Sequence, residues 1–296
     1  MKDFNGKVAF ITGAAHGFGK AIATKAASLG MKLTLVDQDK EALSKVADGL
    51  SKSTEVLKIV ADVTEEKNVD NAVDEAMKKY NEIDLLVNDA GVAVPGPIWE
   101  LPTRDWEWIL HADLMSQVYA LKKVIPIMMK QENGGDILNV ASAAGLLTAP
   151  GMPAYYATKF AVVGMTEAVA YDLQAYKQDK IHMHVFTPAF VQTHLMHSEE
   201  YRPKKYTDKT DPYYQSKTFK MGQEMAKKDL TTGLPIKGVA DTIFKGLEEN
   251  KFYILIHKGI APLVVKRAKD AVEGKAPNLV DLMKYPDKTH TDTSLD

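Results

Sequence analysis

Tyr155, Lys159 and Ser142 are the residues of this 296-residue chain whose types and spacing could do chemistry. Tyr155 and Lys159 lie four residues apart at the start of a helical pattern, so their side chains share a face. A phenol with an ordinary pKa of about 10 exchanges protons poorly at neutral pH, whereas a neighbouring ammonium stabilises the phenolate and lowers that pKa. A tyrosine and a lysine at this spacing are common on ordinary helices. Ser142, which directly follows a predicted strand, adds a hydroxyl at the sheet edge where open α/β folds bind ligands.

Three glycines, Gly13, Gly17 and Gly19, follow the first predicted strand and precede a predicted helix. In a dinucleotide-binding loop the first glycine permits a tight turn, the second lets the backbone approach a pyrophosphate, and the third lets the helix pack on the strand. The unpaired N–H groups at the helix N-terminus then attract the phosphates. We expect these glycines, with His16 and Phe18 between them, to bind a dinucleotide; the alternative is a purely structural turn.

Asp37 ends the second predicted strand, about 20 residues after the glycine loop. A carboxylate there accepts hydrogen bonds from both ribose hydroxyls of NAD and repels the extra phosphate of NADP. Gln38 and Asp39, rather than basic residues, follow it directly. The sequence therefore predicts NAD as the cofactor, with a solvated turn aspartate as the alternative.

Short runs of β-branched residues alternate with longer stretches of helical spacing along the chain. The predicted strands are 7–12, 32–36, 56–61, 83–88, 136–141, 181–187 and 252–257, and the clearest helical stretches are 21–29, 65–80, 104–130 and 155–176. Near-continuous apolar strands separated by helices are typical of parallel strands that are covered on both faces. We therefore predict an α/β fold with a Rossmann-type doubly wound parallel sheet of about seven strands, in a single domain over residues 1–296.

The regular alternation fails between residues 194 and 234, where tyrosines, a phenylalanine and methionines are mixed with lysines and aspartates. A long stretch without strand signals is typical of a functional lid or a disordered loop, and we expect a substrate lid here. Residues 258–296 form a C-terminal extension, of which residues 258–269 are basic and amphipathic. We expect that part to lie at a subunit interface; contact with a membrane surface or another partner is the alternative.

The composition excludes several classes of function. The chain has no cysteine, which rules out disulfides, thiolate metal sites and a cysteine nucleophile. The formal charge is −2 and acidic and basic residues are mixed along the chain, so the sequence shows no excess of positive charge that would favour binding of nucleic acid or an anionic membrane. No apolar run has the length of about 20 residues that a membrane span needs, and no signal peptide is recognisable, so a cytoplasmic location is expected. Only three residues are arginine, so bidentate arginine–phosphate contacts are not expected to hold a cofactor.

Two further groups of residues have ordinary structural explanations. His194, His197 and Glu200 have a spacing that could face a metal ion, but the chain has no HExxH pattern, so no metal site is expected. Trp99, Trp106 and Trp108 are expected to pack, although Trp99 lies near the cofactor edge in sequence order.

In order along the chain, these motifs resemble those of the short-chain dehydrogenase/reductase superfamily. Thr12-Gly13-xxx-Gly17-x-Gly19 is similar to its cofactor loop, and Ser142 with Tyr155-xxx-Lys159 is similar to its catalytic motif. The further cofactor contacts that the resemblance implies are Asp62, Val63, Asn88, Ala90, Gly91, Pro188, Val191 and Thr193. The resemblance covers residues 6–195, with Asp89 and Ala189 standing where the family usually has asparagine and glycine.

The resemblance also implies a role for each catalytic residue. Ser142 would hydrogen-bond the substrate oxygen, Tyr155 would pass a proton to or from it, and Lys159 would lower the pKa of Tyr155. Tyr155 and Lys159 would also contact the nicotinamide ribose. Asp113 stands where the family usually places a fourth catalytic residue, an asparagine, unless a local misalignment shifts that position. An aspartate keeps the acceptor oxygens but loses the amide donor, and its charge near Lys159 predicts a raised pKa of Tyr155.

The resemblance implies an NAD(H)-dependent oxidoreductase that interconverts a secondary alcohol and a ketone. The aromatic and methionine side chains of the lid favour a bulky apolar substrate, such as a hydroxysteroid or an alicyclic or aryl alcohol. A non-catalytic NAD-binding sensor or scaffold is the main alternative, with Asp113 as its only support, and an epimerase or dehydratase is a weaker one. By resemblance, the helices at 104–130 and 155–176 are expected to pair between subunits in a homotetramer or homodimer.

Overall fold

The computed structural model describes residues 1, 3–208 and 210–284, except for the side chains of residues 196, 283 and 284. Seven parallel strands form one sheet in the order β3-β2-β1-β4-β5-β6-β7. The strands are β1 Val8–Thr12, β2 Lys32–Asp37, β3 Val56–Val60, β4 Leu85–Asn88, β5 Gly135–Val140, β6 Ile181–Phe186 and β7 Tyr253–Ile254. The chain reverses its direction of travel across the sheet between β3 and β4, which places β1 beside β4, and ligands bind at the carboxyl ends of strands at such a point. The predicted doubly wound parallel sheet is confirmed.

Helices cover both faces of the sheet, which explains why the strands are apolar at nearly every position. The α-helices of the described residues are α1 Gly17–Ser28, α2 Lys40–Leu50, α3 Glu66–Tyr80, α4 Thr103–Ile109, α5 Ser116–Met128, α6 Pro153–Ala175, α7 Lys217–Thr232, α8 Val239–Glu248, α9 Ala261–Val272 and α10 Leu279–Lys284. Alternate residues of a strand face opposite sides. Ala9 and Ile11 of β1 therefore pack with α1, α2 and α8, whereas Phe10 packs on the other side with α3, α5 and α6.

The predicted helical stretch over residues 104–130 is divided in the structure. A π-helical turn occupies Leu110–Met115, between the end of α4 and the start of α5. Such turns contain one residue more than an α-helical turn and occur frequently at functional sites. Asp113 lies in this turn and is fully buried.

The lid, residues 194–234, has more regular structure than the sequence indicates. Its first half contains the 3₁₀ segments Leu195–Tyr201, Lys204–Tyr206 and Pro212–Gln215, and its second half is the helix α7. Ser216 caps that helix by accepting a hydrogen bond of 3.0 Å from Phe219 N–H. The expectation of an irregular stretch is therefore wrong for α7. The helix was missed because its residues are mostly polar, and Leu230 is the only one of them that is buried.

Two features of the C-terminal part complete the fold. The predicted last strand at 252–257 is shorter in the structure, where β7 spans Tyr253–Ile254. The helix α9 contains no buried residue, and the predicted interface contact of residues 258–269 stays a prediction. Among the helices that the structure describes, none combines the length and the apolarity needed to cross a bilayer.

Candidate active site

The glycine loop connects β1 to α1 and is shaped by close backbone approaches. Gly13 and Gly17 have φ values of 67° and 49°, a left-handed conformation that favours glycine. A Cβ atom on Gly19 would lie 2.2 Å from the carbonyl oxygen of Gly13, so a side chain does not fit there. His16, the residue that precedes α1, makes no capping hydrogen bond through its own side chain. The loop therefore offers backbone N–H groups and a helix N-terminus to an anion, which fits the pyrophosphate of a dinucleotide.

Asp89 directly follows β4 and stabilises this loop by hydrogen bonds. Its Oδ2 accepts a hydrogen bond of 2.6 Å from Gly19 N–H, and its own N–H donates to Oγ1 of Thr12 at 3.1 Å. Burial raises the pKa of Asp89 to about 7, although the Gly19 hydrogen bond and the charge of Lys159 oppose that rise. At neutral pH this carboxyl group is therefore divided between its neutral and ionised forms.

We expect Asp89→Asn to make the stability of the protein less dependent on pH. An aspartate in an unfolded chain ionises near pH 4, and folding raises the pKa of Asp89 to about 7. The neutral form contributes stability at acid pH that is lost as the pH rises through 7, so the free energy of unfolding of the wild type falls. Between pH 5 and pH 8 the variant should gain about 2–3 kcal/mol relative to the wild type. Urea denaturation at the two pH values measures this gain, and an equal difference at both values contradicts it.

Asp37 lies at the end of β2, at the edge of the same cavity. Its Oδ2 accepts a hydrogen bond of 3.0 Å from Ala15 N–H, and its Oδ1 accepts one of 2.9 Å from Asp39 N–H. Burial raises the pKa of Asp37, and these two hydrogen bonds oppose the rise. Because each carboxylate oxygen has about two lone pairs, both keep acceptor capacity for the hydroxyls of a ribose. The backbone thus fixes the direction of a carboxylate that could select between NAD and NADP.

Ser142, Tyr155 and Lys159 meet at the cavity wall beyond the end of β5. The Oγ of Ser142 accepts a hydrogen bond of 3.1 Å from Ala144 N–H and donates one of 3.2 Å to the carbonyl oxygen of Pro188. On α6, Nζ of Lys159 lies 5.4 Å from the centre of the Tyr155 ring. Burial raises the pKa of Tyr155, whereas the charge of Lys159 and a hydrogen bond with Ser142 lower it. The predicted sharing of one helix face by Tyr155 and Lys159 is observed.

Asp113 is the counterion of Lys159. Its Oδ2 lies 3.0 Å from Nζ of Lys159, and its Oδ1 accepts a hydrogen bond of 2.7 Å from Val92 N–H. Burial raises the pKa of Asp113. Burial alone would lower the pKa of Lys159, but the charges of Asp113 and Tyr155 outweigh it and raise that pKa. The negative charge of Asp113 also raises the pKa of Tyr155, which is the direction that the sequence predicts.

One cavity joins the glycine loop, Asp37 and the catalytic candidates. The predicted site residues that line it are Gly13, His16, Gly17, Phe18, Asp37, Asp62, Val63, Ala90, Gly91, Ser142, Tyr155, Lys159, Pro188, Val191 and Thr193. Gly19, Asn88 and Asp113 do not line it. Asn88, which the resemblance gives as a cofactor contact, is buried, and its amide donates a hydrogen bond of 2.9 Å to Oδ1 of Asn139. In this structure Asn88 therefore joins β4 to β5 instead of facing the cavity.

Residues that the sequence does not single out as site residues complete the cavity. Leu195, Ser198 and Tyr201 come from the first 3₁₀ segment of the lid, and Leu230 comes from α7. The prediction that the tryptophans pack is wrong for Trp99, which is exposed, whereas Trp108 is buried in α4 and also lines the cavity. The lid composition predicts apolar side chains near the substrate. Contacts between distant segments determine which of these lid side chains face the cavity. The spacing of residues in the sequence does not indicate those contacts.

His194 links the lid to the glycine loop. The rings of His16 and His194 stack with their centroids 4.4 Å apart, and His194 stacks on His197 at 4.2 Å. Nδ1 of His197 lies 2.7 Å from Oε1 of Glu200. The candidate ligand atoms of His194, His197 and Glu200 all lie within 4.8 Å of one another. Stacking and a hydrogen bond account for this cluster, and the expectation that no metal binds stays a prediction.

Residues 7–204 match the family described as short chain dehydrogenase. The chain belongs to this family. A curated relative, the "CLA biosynthesis dehydrogenase/reductase" of Lactiplantibacillus plantarum, is 60% identical over 280 residues, which cover 94% of this chain and 98% of the relative. The "3beta-hydroxysteroid dehydrogenase 2" of Eggerthella lenta is 34% identical over 192 residues, which cover 64% of this chain and 73% of that protein.

Solved structures lead to the same family. A short chain dehydrogenase/reductase from Burkholderia phymatum in complex with NAD has a TM-score of 0.89 and 35% identity, and the match covers 94% of this chain and 98% of that one. Short chain dehydrogenases use NAD or NADP to oxidise alcohols or reduce ketones, and at this level the protein is an oxidoreductase. The predicted resemblance is confirmed.

Proposed function

We propose that this protein is an NAD(H)-dependent short chain dehydrogenase that interconverts a secondary alcohol and a ketone. The observation that carries the proposal is the presence of Ser142, Tyr155 and Lys159 in one cavity with the glycine loop and Asp37. The half-buried phenol of Tyr155 beside the buried ammonium of Lys159 shifts the pKa of both groups, and side chains with shifted pKa values cluster at functional sites. The arrangement therefore supports an enzyme over a sensor or scaffold.

The dinucleotide would bind on the glycine-loop side of the cavity. Gly13, Gly17 and the N-terminus of α1 would hold the pyrophosphate, and Asp37 would accept the adenosine ribose hydroxyls. Asp62 and Val63, which line the cavity after β3, would contact the adenine. When bound, the nicotinamide accepts or donates the hydride.

The side chains of this protein would orient the substrate and move its proton. During alcohol oxidation the Tyr155 phenolate would take the hydroxyl proton, and during ketone reduction the Tyr155 phenol would return it. The ammonium of Lys159 would stabilise the phenolate. The hydroxyl of Ser142 would hydrogen-bond the substrate oxygen. Asp113 would touch no reacting atom and would act by balancing the charge of Lys159.

We expect Asp37→Asn to weaken the preference for NAD over NADP. The variant loses the charge that strengthens hydrogen bonds to the ribose, so the Kd of NADH should rise about tenfold. NADPH should bind more tightly than to the wild type, because repulsion of the extra phosphate is removed. Asp48→Asn is the matched control, since Asp48 is an exposed aspartate of α2 that does not line the cavity. Fluorescence titration with both cofactors measures the effect, and equal affinity of the wild type for NADH and NADPH contradicts the proposed role.

The proposed substrate is a bulky apolar secondary alcohol, such as a hydroxysteroid or an alicyclic or aryl alcohol. Support comes from the apolar side chains of Trp108, Leu195 and Leu230, which line the cavity together with the catalytic candidates. One relative is named a hydroxysteroid dehydrogenase, and the other is named for CLA biosynthesis. A long-chain hydroxy acid such as 12-hydroxyoctadecanoic acid is also a bulky and largely apolar secondary alcohol, so it belongs in the same test as a steroid.

An alcohol panel tests the proposed function. Androsterone, 12-hydroxyoctadecanoic acid, 1-phenylethanol, cyclohexanol and 2-butanol are each supplied with NAD or NADP, and the absorbance of the reduced cofactor is followed. We expect higher kcat/KM values for the bulky alcohols than for 2-butanol, and higher values with NAD than with NADP. Turnover restricted to 2-butanol would contradict the proposed substrate class, and faster turnover with NADP would contradict the proposed cofactor.

A further inference from the structure

Two of the three arginines in the chain lie where the lid meets α4. Arg202 of the lid pairs with Asp105 of α4, and Arg104 of α4 pairs with Asp208 and Asp211 of the lid. Ion pairs therefore join the lid to α4, and each of the two elements contributes one arginine to them. Since a side chain of α4 also lines the cavity, the contacts that join the lid to α4 affect the shape of the candidate active site.

The Arg202 pair is the buried one. Nη2 of Arg202 lies 2.6 Å from Oδ1 of Asp105 and 2.6 Å from Oε1 of Glu199, and the exposed fractions of the Arg202 and Asp105 side chains are 4% and 1%. The other carboxylate oxygen of Asp105 accepts a hydrogen bond of 2.7 Å from the hydroxyl of Tyr214. A planar guanidinium can serve two carboxylates at once, whereas a lysine ammonium lacks this geometry.

The Arg104 pair is more exposed to solvent. Nη1 of Arg104 lies 3.3 Å from Oδ2 of Asp208, and Nη2 lies 2.9 Å from Oδ2 of Asp211. Exposed ion pairs of this kind contribute little and are screened by salt. Arg104 is therefore a matched control for Arg202, because the same residue type bridges the same two elements with much less burial.

Arg202 also fixes the position of Trp108. The central guanidinium carbon of Arg202 lies 4.1 Å from the centre of the Trp108 ring, close enough for a cation–π contact. Trp108 follows Asp105 by three residues on α4, so the two side chains lie on neighbouring parts of one helix face. Trp108 is buried and lines the cavity. The same guanidinium thus holds the lid and one side chain of the cavity wall.

We propose that Arg202 is a positioning residue that determines substrate preference, by holding the lid on α4 and Trp108 in the cavity wall. The kinetic part of this inference rests on the proposed function, and the structural part does not. Bulky substrates make more apolar contact with the wall than small ones, so displacement of Trp108 weakens their binding more. Arg202 touches no reacting atom in the proposed mechanism, so its loss acts on KM and leaves kcat nearly unchanged.

Arg202→Lys and the control Arg104→Lys test the kinetic part. For androsterone and 12-hydroxyoctadecanoic acid, Arg202→Lys should raise KM about tenfold and change kcat less than about threefold. With the small alcohol 2-butanol, KM should change less than about twofold, and Arg104→Lys should leave every KM within about twofold. Equal losses of kcat for all three alcohols, or equal effects of the two substitutions, would overturn the proposal.

Acrylamide quenching of Trp108 fluorescence tests the structural part without any substrate. With Trp99→Phe and Trp106→Phe in the background, Trp108 is the only tryptophan, and Arg202→Lys should make it clearly more accessible to the quencher than Arg104→Lys does. Unchanged quenching overturns the proposal for Arg202 even if none of the alcohols in the panel is converted. The quenching result therefore distinguishes a failure of the Arg202 proposal from a failure of the proposed function. If Arg202→Lys does not fold, Glu199→Gln replaces it, because it removes one of the two carboxylates that hold the Arg202 guanidinium and leaves the pair with Asp105 in place. That variant should also make Trp108 more accessible to the quencher than Arg104→Lys does, and unchanged quenching overturns the proposal.

Discussion

Replacing Tyr155 with phenylalanine is expected to lower kcat by about a hundredfold to ten-thousandfold, because the phenol is the group that would exchange the proton of the substrate. The aromatic ring remains, so the cavity keeps its shape and the Kd of NADH should stay within about threefold. Steady-state rates with the best alcohol of the panel and fluorescence titration with NADH measure these two quantities. Turnover retained by the variant would remove Tyr155 from the proposed chemistry.

Tyr156→Phe is the matched control for that substitution. Tyr156 is the next residue of α6, it does not line the cavity, and burial raises its pKa to about 12. Its phenol therefore stays protonated at neutral pH, and its replacement should leave kcat unchanged. A wild-type protein that binds NADH and converts none of the alcohols or the corresponding ketones would favour the sensor or scaffold alternative. Loss of NADH binding in Tyr155→Phe would instead point to a structural defect.

The parts of the site that depend on short-range sequence were predictable. Gly13 and Gly17 adopt the left-handed backbone that only glycine adopts easily, and they follow a strand that is buried throughout. Tyr155 and Lys159 share a helix face because of their spacing alone. All seven predicted strands are present, since parallel strands buried on both faces leave continuous apolar runs.

The parts that depend on contacts between distant segments were not predictable. The π-helical turn contains Asp113, whose partners are Val92 and Lys159, and no local pattern marks the extra residue in that turn. The ion pair of Arg202 and Asp105 joins the lid to α4 across a long stretch of chain. The scarcity of arginine in the sequence did not reveal this junction. The residue types therefore predicted the proton-transfer chemistry, whereas tertiary packing determines which other side chains hold the catalytic candidates in place.

Asp113→Asn is expected to shift the pH dependence of alcohol oxidation to lower pH by about one unit or more. With Asp113 and Lys159 both ionised, the pair is neutral, and ionisation of Tyr155 leaves one net negative charge in a buried site. With asparagine, the site carries one positive charge before Tyr155 ionises and no net charge afterwards. A buried net charge is costly, so the variant forms the phenolate more easily and the pKa of Tyr155 falls.

The acidic limb of the kcat/KM profile reports the ionisation of the base in the free enzyme, so profiles of the wild type and the variant measure this shift. Below the pKa of Tyr155 in the wild type the variant should be faster, and above both pKa values the two rates should converge. The variant should also lose about 3–5 kcal/mol of unfolding free energy, because Lys159 is left without its buried counterion. Urea denaturation shows whether that ion pair has been removed. Coincident pH profiles together with this loss of stability would mean that Asp113 balances Lys159 in the fold without acting on Tyr155.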